Sequence, residues 1–217
     1  MSEALSERCL RENRLSFDRM VDHRFVRDIG SDSLQPGVFD TYLQIEGAFV
    51  STAISIFAFA TTKATDIGDR RRLIAVQDAL VNVQIPYFED VLARRQVTSA
   101  GRASKDPRTG AFDRGMYRIA SEDSLPEILA AMFAAEWMYM TWCNRVSARM
   151  ISDPDIRGWV DMHTSSEFVE QACWLKDRLD TAGETMSEIE AAACSRIFGH
   201  VQELEYEFHD VPYELSW

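Results

Sequence analysis

Apolar residues recur along this chain at i, i+3, i+4 and i+7 almost from end to end, the spacing that repeats one face of an α-helix. No alternating run of β-branched residues is present, and no Asn-Gly or Asp-Gly pair that would close a hairpin. The periodicity predicts a first helix from Ser2 to Val21 and a short one from His23 to Ile29. Gly30 to Ser33 break the pattern, and Pro36 opens a long helix that runs to Thr65. The next spans Gly68 to Val97, with a kink or break expected at Pro86, which lacks the backbone N–H a helix interior uses. Thr98 to Gly110 reads as a loop. Then come a short helix from Phe112 to Ser121, a long one capped by Ser124 and reaching Ile151, and one from Pro154 to Leu179. The last runs from Ser187 to Asp210, with Pro212 expected to end it. No repeat or linker divides the chain. The expectation is one all-α domain over residues 1–217, a bundle of seven or eight helices.

Three glutamates interrupt this pattern where an amphipathic helix ordinarily places leucine. Glu46 lies among Phe39, Tyr42, Leu43, Phe49, Val50 and Ala53. Glu136 lies among Leu129, Met132, Phe133, Met140 and Cys143. Glu205 lies among Phe198, Val201 and Phe208, with Gln202 and His209 at the edges of its stripe. Burying an ionised carboxylate is costly unless something compensates it. Three such acids on three helices therefore predict a polar pocket inside an apolar bundle, and that pocket is the candidate for function.

Charge narrows the partners. The chain has 217 residues with 35 acids against 23 bases, a formal charge of −12. Such a surface excludes a dominant interaction with phosphate backbones, so neither nucleic acid nor an anionic membrane is an expected partner. The apolar stretch from Ala48 to Ala60 is too short to span a bilayer and reads as a buried helix. The N-terminal residues are polar and then amphipathic, unlike a secretory leader. Cys9, Cys143, Cys173 and Cys194 are widely spaced and form no CxxC pair. A reduced, cytoplasmic protein with cysteines as small core residues is expected.

Three stretches in order carry a resemblance. His23-Arg24-Phe25-Val26-Arg27-Asp28-Ile29-Gly30, followed by Ser33-Leu34 and Phe39-Asp40-Thr41-Tyr42-Leu43, resembles the opening of the TenA / thiaminase II family. Glu127-Ile128-Leu129-Ala130-Ala131 with Ala135-Glu136-Trp137-Met138-Tyr139, and Glu203 to Phe208, are similar to its later motifs. The resemblance implies a haem-oxygenase-like helical bundle that uses no haem or other cofactor, assembled as a homotetramer or homodimer. It implies hydrolysis of an aminopyrimidine in thiamin salvage, with water replacing the amine on the aminomethyl carbon of 4-amino-5-aminomethyl-2-methylpyrimidine or its N-formyl form. One branch of the family uses a cysteine nucleophile. This chain resembles a second branch, with Ala135 at the cysteine position and Glu136 beside it. Glu205 then matches the glutamate that handles protons, and Glu46 matches an aspartate that binds the ring nitrogen and amine. Phe49, Phe112, Tyr139 and His163 match residues that line the pyrimidine. The departures are Glu46 for aspartate, Ile45 for glutamine, and Phe112 and His163 for tyrosines; with no cysteine in place, they count against cleavage of thiamin itself.

Two other readings use the same fold. In a di-metal oxidase, Glu46, Glu136, His163, Glu167 and Glu170 would be recruited as ligands, the last three sharing one helical face at i, i+4 and i+7. Against it, Glu170 stands where the oxidase pattern has histidine. In a binding or regulatory protein, the pocket would hold a small molecule without turning it over.

Overall fold

The computed structural model describes residues 3–97 and 105–215, and among them every regular element is helical. The elements are α1 (Leu5–Glu12), α2 (Arg14–Val21), α3 (Arg24–Gly30), α4 (Pro36–Lys63), α5 (Ile67–Ala79), a π segment (Leu80–Gln84), α6 (Ile85–Arg94), α7 (Pro107–Glu122), α8 (Leu125–Ser147), α9 (Pro154–Met162), α10 (Ser166–Gly183) and α11 (Glu188–Leu215). The all-α expectation holds. The segments outnumber the seven or eight expected because three of the anticipated helices are each divided in two.

Each division has a local cause. The first helix, whose expected start at Ser2 lies outside the described residues, breaks at Asn13. The Asn13 amide donates to the carbonyls of Cys9 (2.9 Å) and Ser195 (2.8 Å), so it ends α1 and docks it on α11. Gly199 allows this, because a Cβ there would lie 2.1 Å from Asn13 Oδ1. The second division surrounds Pro86, whose missing N–H and bulky ring widen the preceding turn into the π segment. The third falls at His163 to Ser165, where the Ser165 hydroxyl accepts from Phe168 N–H and starts α10.

Other boundaries also moved. Residues 98–104 of the expected loop lie outside the described residues; Pro107 to Gly110 already belong to α7, which Asp106 caps by accepting from Arg108 N–H. Pro212 sits inside α11 rather than ending it. The last turn persists where Arg108 makes a two-pronged ion pair with Glu214 (2.8 and 2.9 Å).

The chain clusters into two compact units, Met1–Leu34 with Leu129–Tyr206, and Gln35–Ile128 with Glu207–Trp217. In the first, Phe25, Trp142, Trp159, Phe133, Phe198 and Leu179 are buried. In the second, Phe39, Tyr42, Leu43, Phe112, Ile119 and Phe208 are buried. The apolar stretch read as Ala48 to Ala60 is part of the 28-residue α4, which by length and composition alone would reach across a bilayer. Its apolarity also has a use within the unit, since Val38, Phe39, Tyr42, Leu43, Ile45, Val50, Ile56, Phe57 and Ala60 are all buried there.

Candidate functional site

The first unit holds Glu136, Tyr139, His163 and Glu205. Glu205 is 1 % exposed, on the same face of α11 as the buried Phe198, Val201 and Gln202. Gln202 Nε2 donates to the carbonyl of Ala134 on α8 (2.7 Å). That bond fixes the orientation of the amide, leaving Gln202 Oε1 as a buried acceptor with no donor among the described residues. Tyr206, next to Glu205, is gripped from another direction: His23 meets its ring edge-on at 4.6 Å and the Arg19 guanidinium lies 3.9 Å over it. Glu136 is half-buried and shares a face of α8 with Tyr139, three residues on.

Tyr139 and His163 do come together, with ring centroids 5.1 Å apart. Around them Trp142 stacks on Trp159 at 5.2 Å, Trp159 lies 4.0 Å from His163, and Phe168 approaches His163 at 4.8 Å. His163 Nδ1 lies 2.8 Å from the carbonyl of Trp159. A carbonyl only accepts, so Nδ1 carries the proton. Burial pushes this imidazole down to about 4, so at neutral pH it is uncharged and its Nε2 is an acceptor.

The second unit holds Glu46, Phe49 and Phe112. Phe49 and Phe112 pack at 4.5 Å, and Phe208 joins Phe112 at 4.9 Å. Glu46 is half-buried, one turn before Phe49 on the same face of α4. Beside it Gly47 lets Phe88 approach: a Cβ there would meet the Phe88 ring at 3.2 Å. Of the three acids, Glu205 alone is fully buried. Periodicity predicts the face a residue occupies, and neighbouring side chains decide how far that face is covered.

The metal face that the alternative oxidase reading requires is not formed. The break at His163 to Ser165 takes His163 off the helix that carries Glu167 and Glu170; His163 is buried and both glutamates are exposed. Among the described residues no three His, Cys, Asp or Glu side chains gather where they could hold a metal ion. Cys143 is buried, and desolvation pushes its thiol well above the usual range, so it is a poor nucleophile.

Sequence reasoning placed Gln202 only at the edge of a stripe and left Trp142, Trp159, Arg19 and His23 outside the site. The position of Gln202, three residues before Glu205 and so on the same helical face, was the available signal. The Trp142–Trp159 stack joins α8 to α9 and had none, since only tertiary packing brings those rings together.

The TENA/THI-4/PQQC family model matches residues 11–214, and the chain belongs to that family. An aminopyrimidine aminohydrolase of Halalkalibacterium halodurans is 27 % identical over 201 residues, 90 % of each chain. One from Helicobacter pylori is 26 % identical over 201 residues, covering 89 % of this chain and 91 % of that protein. In fold, a TenA homologue from Pyrococcus furiosus superposes with a TM-score of 0.85 at 20 % identity, over 96 % of this chain and 100 % of that one.

Proposed function

We propose that this protein hydrolyses an aminopyrimidine without a cysteine nucleophile. The substrate class is 4-amino-5-aminomethyl-2-methylpyrimidine or its N-formyl form. On the aminomethyl carbon the C–N bond breaks and a C–O bond to water forms, giving the hydroxymethylpyrimidine and ammonia (formamide from the formyl form). The observation that carries this reading is Glu205, a carboxyl only 1 % exposed on an apolar helix face in a chain of this family. A carboxyl so placed suits a group that takes the water proton and returns it to the departing nitrogen. The family relatives named as aminopyrimidine aminohydrolases support the same chemistry.

Glu136 is assigned the second acid, beside Ala135 where the other branch has its cysteine. Glu46 is assigned the fork to the ring nitrogen and exocyclic amine. Phe49, Phe112, Tyr139 and His163 are assigned the walls of the flat ring. Gln202 Oε1 and His163 Nε2 add two acceptors suited to N–H groups. The reading needs no cofactor and places the protein in the cytoplasm. Incubation with the aminomethylpyrimidine tests it. Hydroxymethyl product and ammonia in equal amounts, with far slower release of thiazole from thiamin, are expected. Tight binding of the pyrimidine with no product overturns the enzyme in favour of a binding protein.

A further inference from the structure

Helix α6 lies along the part of α4 that carries Glu46, and it is pinned there at two points. Near its start Phe88 packs on Gly47, where a Cβ would lie 3.2 Å from the Phe88 ring and 3.3 Å from the Phe88 Cβ. Just past its end Arg95 Nε donates to Asp40 Oδ1 at 2.5 Å, and the guanidinium lies 5.1 Å from the centre of the Phe39 ring. Phe88 to Arg95 and Asp40 to Gly47 are both intervals of seven residues, so the two helices run antiparallel over two turns, about 10 Å. Glu46 falls between the pins. Phe39 shares the Glu46 stripe of α4, so Arg95 reaches over the glutamate's own face.

The other end of α6 is built to bend. Ile85 N–H donates to the carbonyl of Leu80, five residues back, which makes the wide turn of the π segment, and Pro86 brings no N–H to the turn that follows. Leu80 is buried, but Val81 and Val83 are 44 % and 62 % exposed, so the wide turn is thinly packed. Within α6 the buried side chains are Phe88 and Val91, while Glu89, Asp90, Ala93 and Arg94 are exposed. A helix with so small a buried face, held between a wide turn and an ion pair, opens at lower cost than the core. We propose that α6 is a gate over Glu46, swinging on residues 80–86, seated by Phe88 on Gly47 and latched by Arg95 on Asp40. Its use in turnover rests on the assignment of Glu46 to the pyrimidine; the motion, and the access it gives to Glu46, do not.

A disulfide across the seat tests it on the full chain. In Gly47→Cys with Phe88→Cys the two Cβ atoms stand close to the roughly 3.5–4.5 Å that a disulfide spans. Glutathione disulfide closes the bond, its own sulfurs leaving as two glutathione thiols, and dithiothreitol opens it. Locked and free forms therefore carry the same substitutions. Labelling of Glu46 by a carbodiimide with glycine ethyl ester, read by peptide mapping, is expected to be about tenfold or more slower in the locked form. Ammonia release from the aminomethylpyrimidine is expected to fall by a like factor and to return on reduction. Asp40→Asn removes the latch alone, and is expected to speed labelling of Glu46 by about threefold or more while melting as wild type does; it decides the matter if the double variant does not fold. Equal labelling of locked and free forms, or of Asp40→Asn and wild type, would overturn the gate. So would a locked form that turns over as fast as the free one. Gated labelling in a protein that releases no ammonia supports the gate and ends the hydrolase reading instead.

Discussion

Gln202 on α11 donates its side-chain amide to the backbone carbonyl of Ala134 on α8, at 2.7 Å and out of solvent. Ala134 lies two residues before Glu136 and Gln202 three before Glu205. One hydrogen bond therefore ties the two helices at the level of the two acids assigned to chemistry.

Gln202→Leu removes that tie while keeping the volume nearly constant. The expected cost is about 1 kcal/mol of stability, the usual net worth of a buried hydrogen bond. Turnover is expected to fall by a larger factor than stability predicts, because placement of Glu205 relaxes. Urea denaturation and initial rates measured on the same preparation check this. A variant with full turnover would separate the tie from the site.

Two buried histidines couple stability to pH. His23 and His163 are 2 % and 6 % exposed, and burial lowers both from 6.5 to about 4. In the unfolded chain each takes up its proton near 6.5, whereas the folded protein resists until about 4. Between those values the unfolded state binds more protons, so stability is full above 6.5 and falls as pH drops toward 4. The loss is on the order of 3 kcal/mol per histidine once pH is below both values. Urea midpoints should fall between about pH 7 and about pH 5, and should fall less in His23→Asn and His163→Gln. His23→Asn is chosen because asparagine can still accept from Phe25 N–H at the start of α3. Equal slopes in wild type and variants would assign the loss to other groups.

The cysteines should not matter to turnover. Cys9, Cys143 and Cys194 are buried, and burial pushes the Cys9 thiol up to about 12. Cys173 is half-buried and is expected to react first with a thiol reagent in the native state. Peptide mapping after brief alkylation should find the label on Cys173, with activity retained. Rapid inactivation would return a cysteine to the mechanism.

Glu136→Ala probes the acid beside Ala135. The expected result is a loss of about 10²–10⁴ in turnover with little change in melting, since the side chain is half-buried rather than packed in the core. Turnover equal to wild type would leave Glu136 a structural acid.

Local rules made some of the fold legible before any tertiary contact was known. Ser124 and Ser187 stand at the starts of α8 and α11, where the sequence places a cap and a helix start, each donating its hydroxyl to the glutamate three residues on, Glu127 and Glu190, at 2.7 Å. The family resemblance rested on the order of three stretches, and the matched family covers them all. The break at Asn13 was hidden because its amide bonds to Ser195, 182 residues away. The persistence of α11 through Pro212 was hidden because the partner of Glu214 is Arg108. In the candidate site, the faces of Glu46, Glu136 and Glu205 were readable. The aromatic cage around His163 was not, because it forms only when α8, α9 and α10 pack.

The central claim is that Glu205 carries cysteine-independent hydrolysis. The measurement that tests it most directly is ammonia release from 4-amino-5-aminomethyl-2-methylpyrimidine by wild-type protein and by Glu205→Gln, with circular dichroism melts of both. The account predicts steady release by wild type and loss of about 10²-fold or more in a variant that melts normally. Equal release by the two proteins would contradict it.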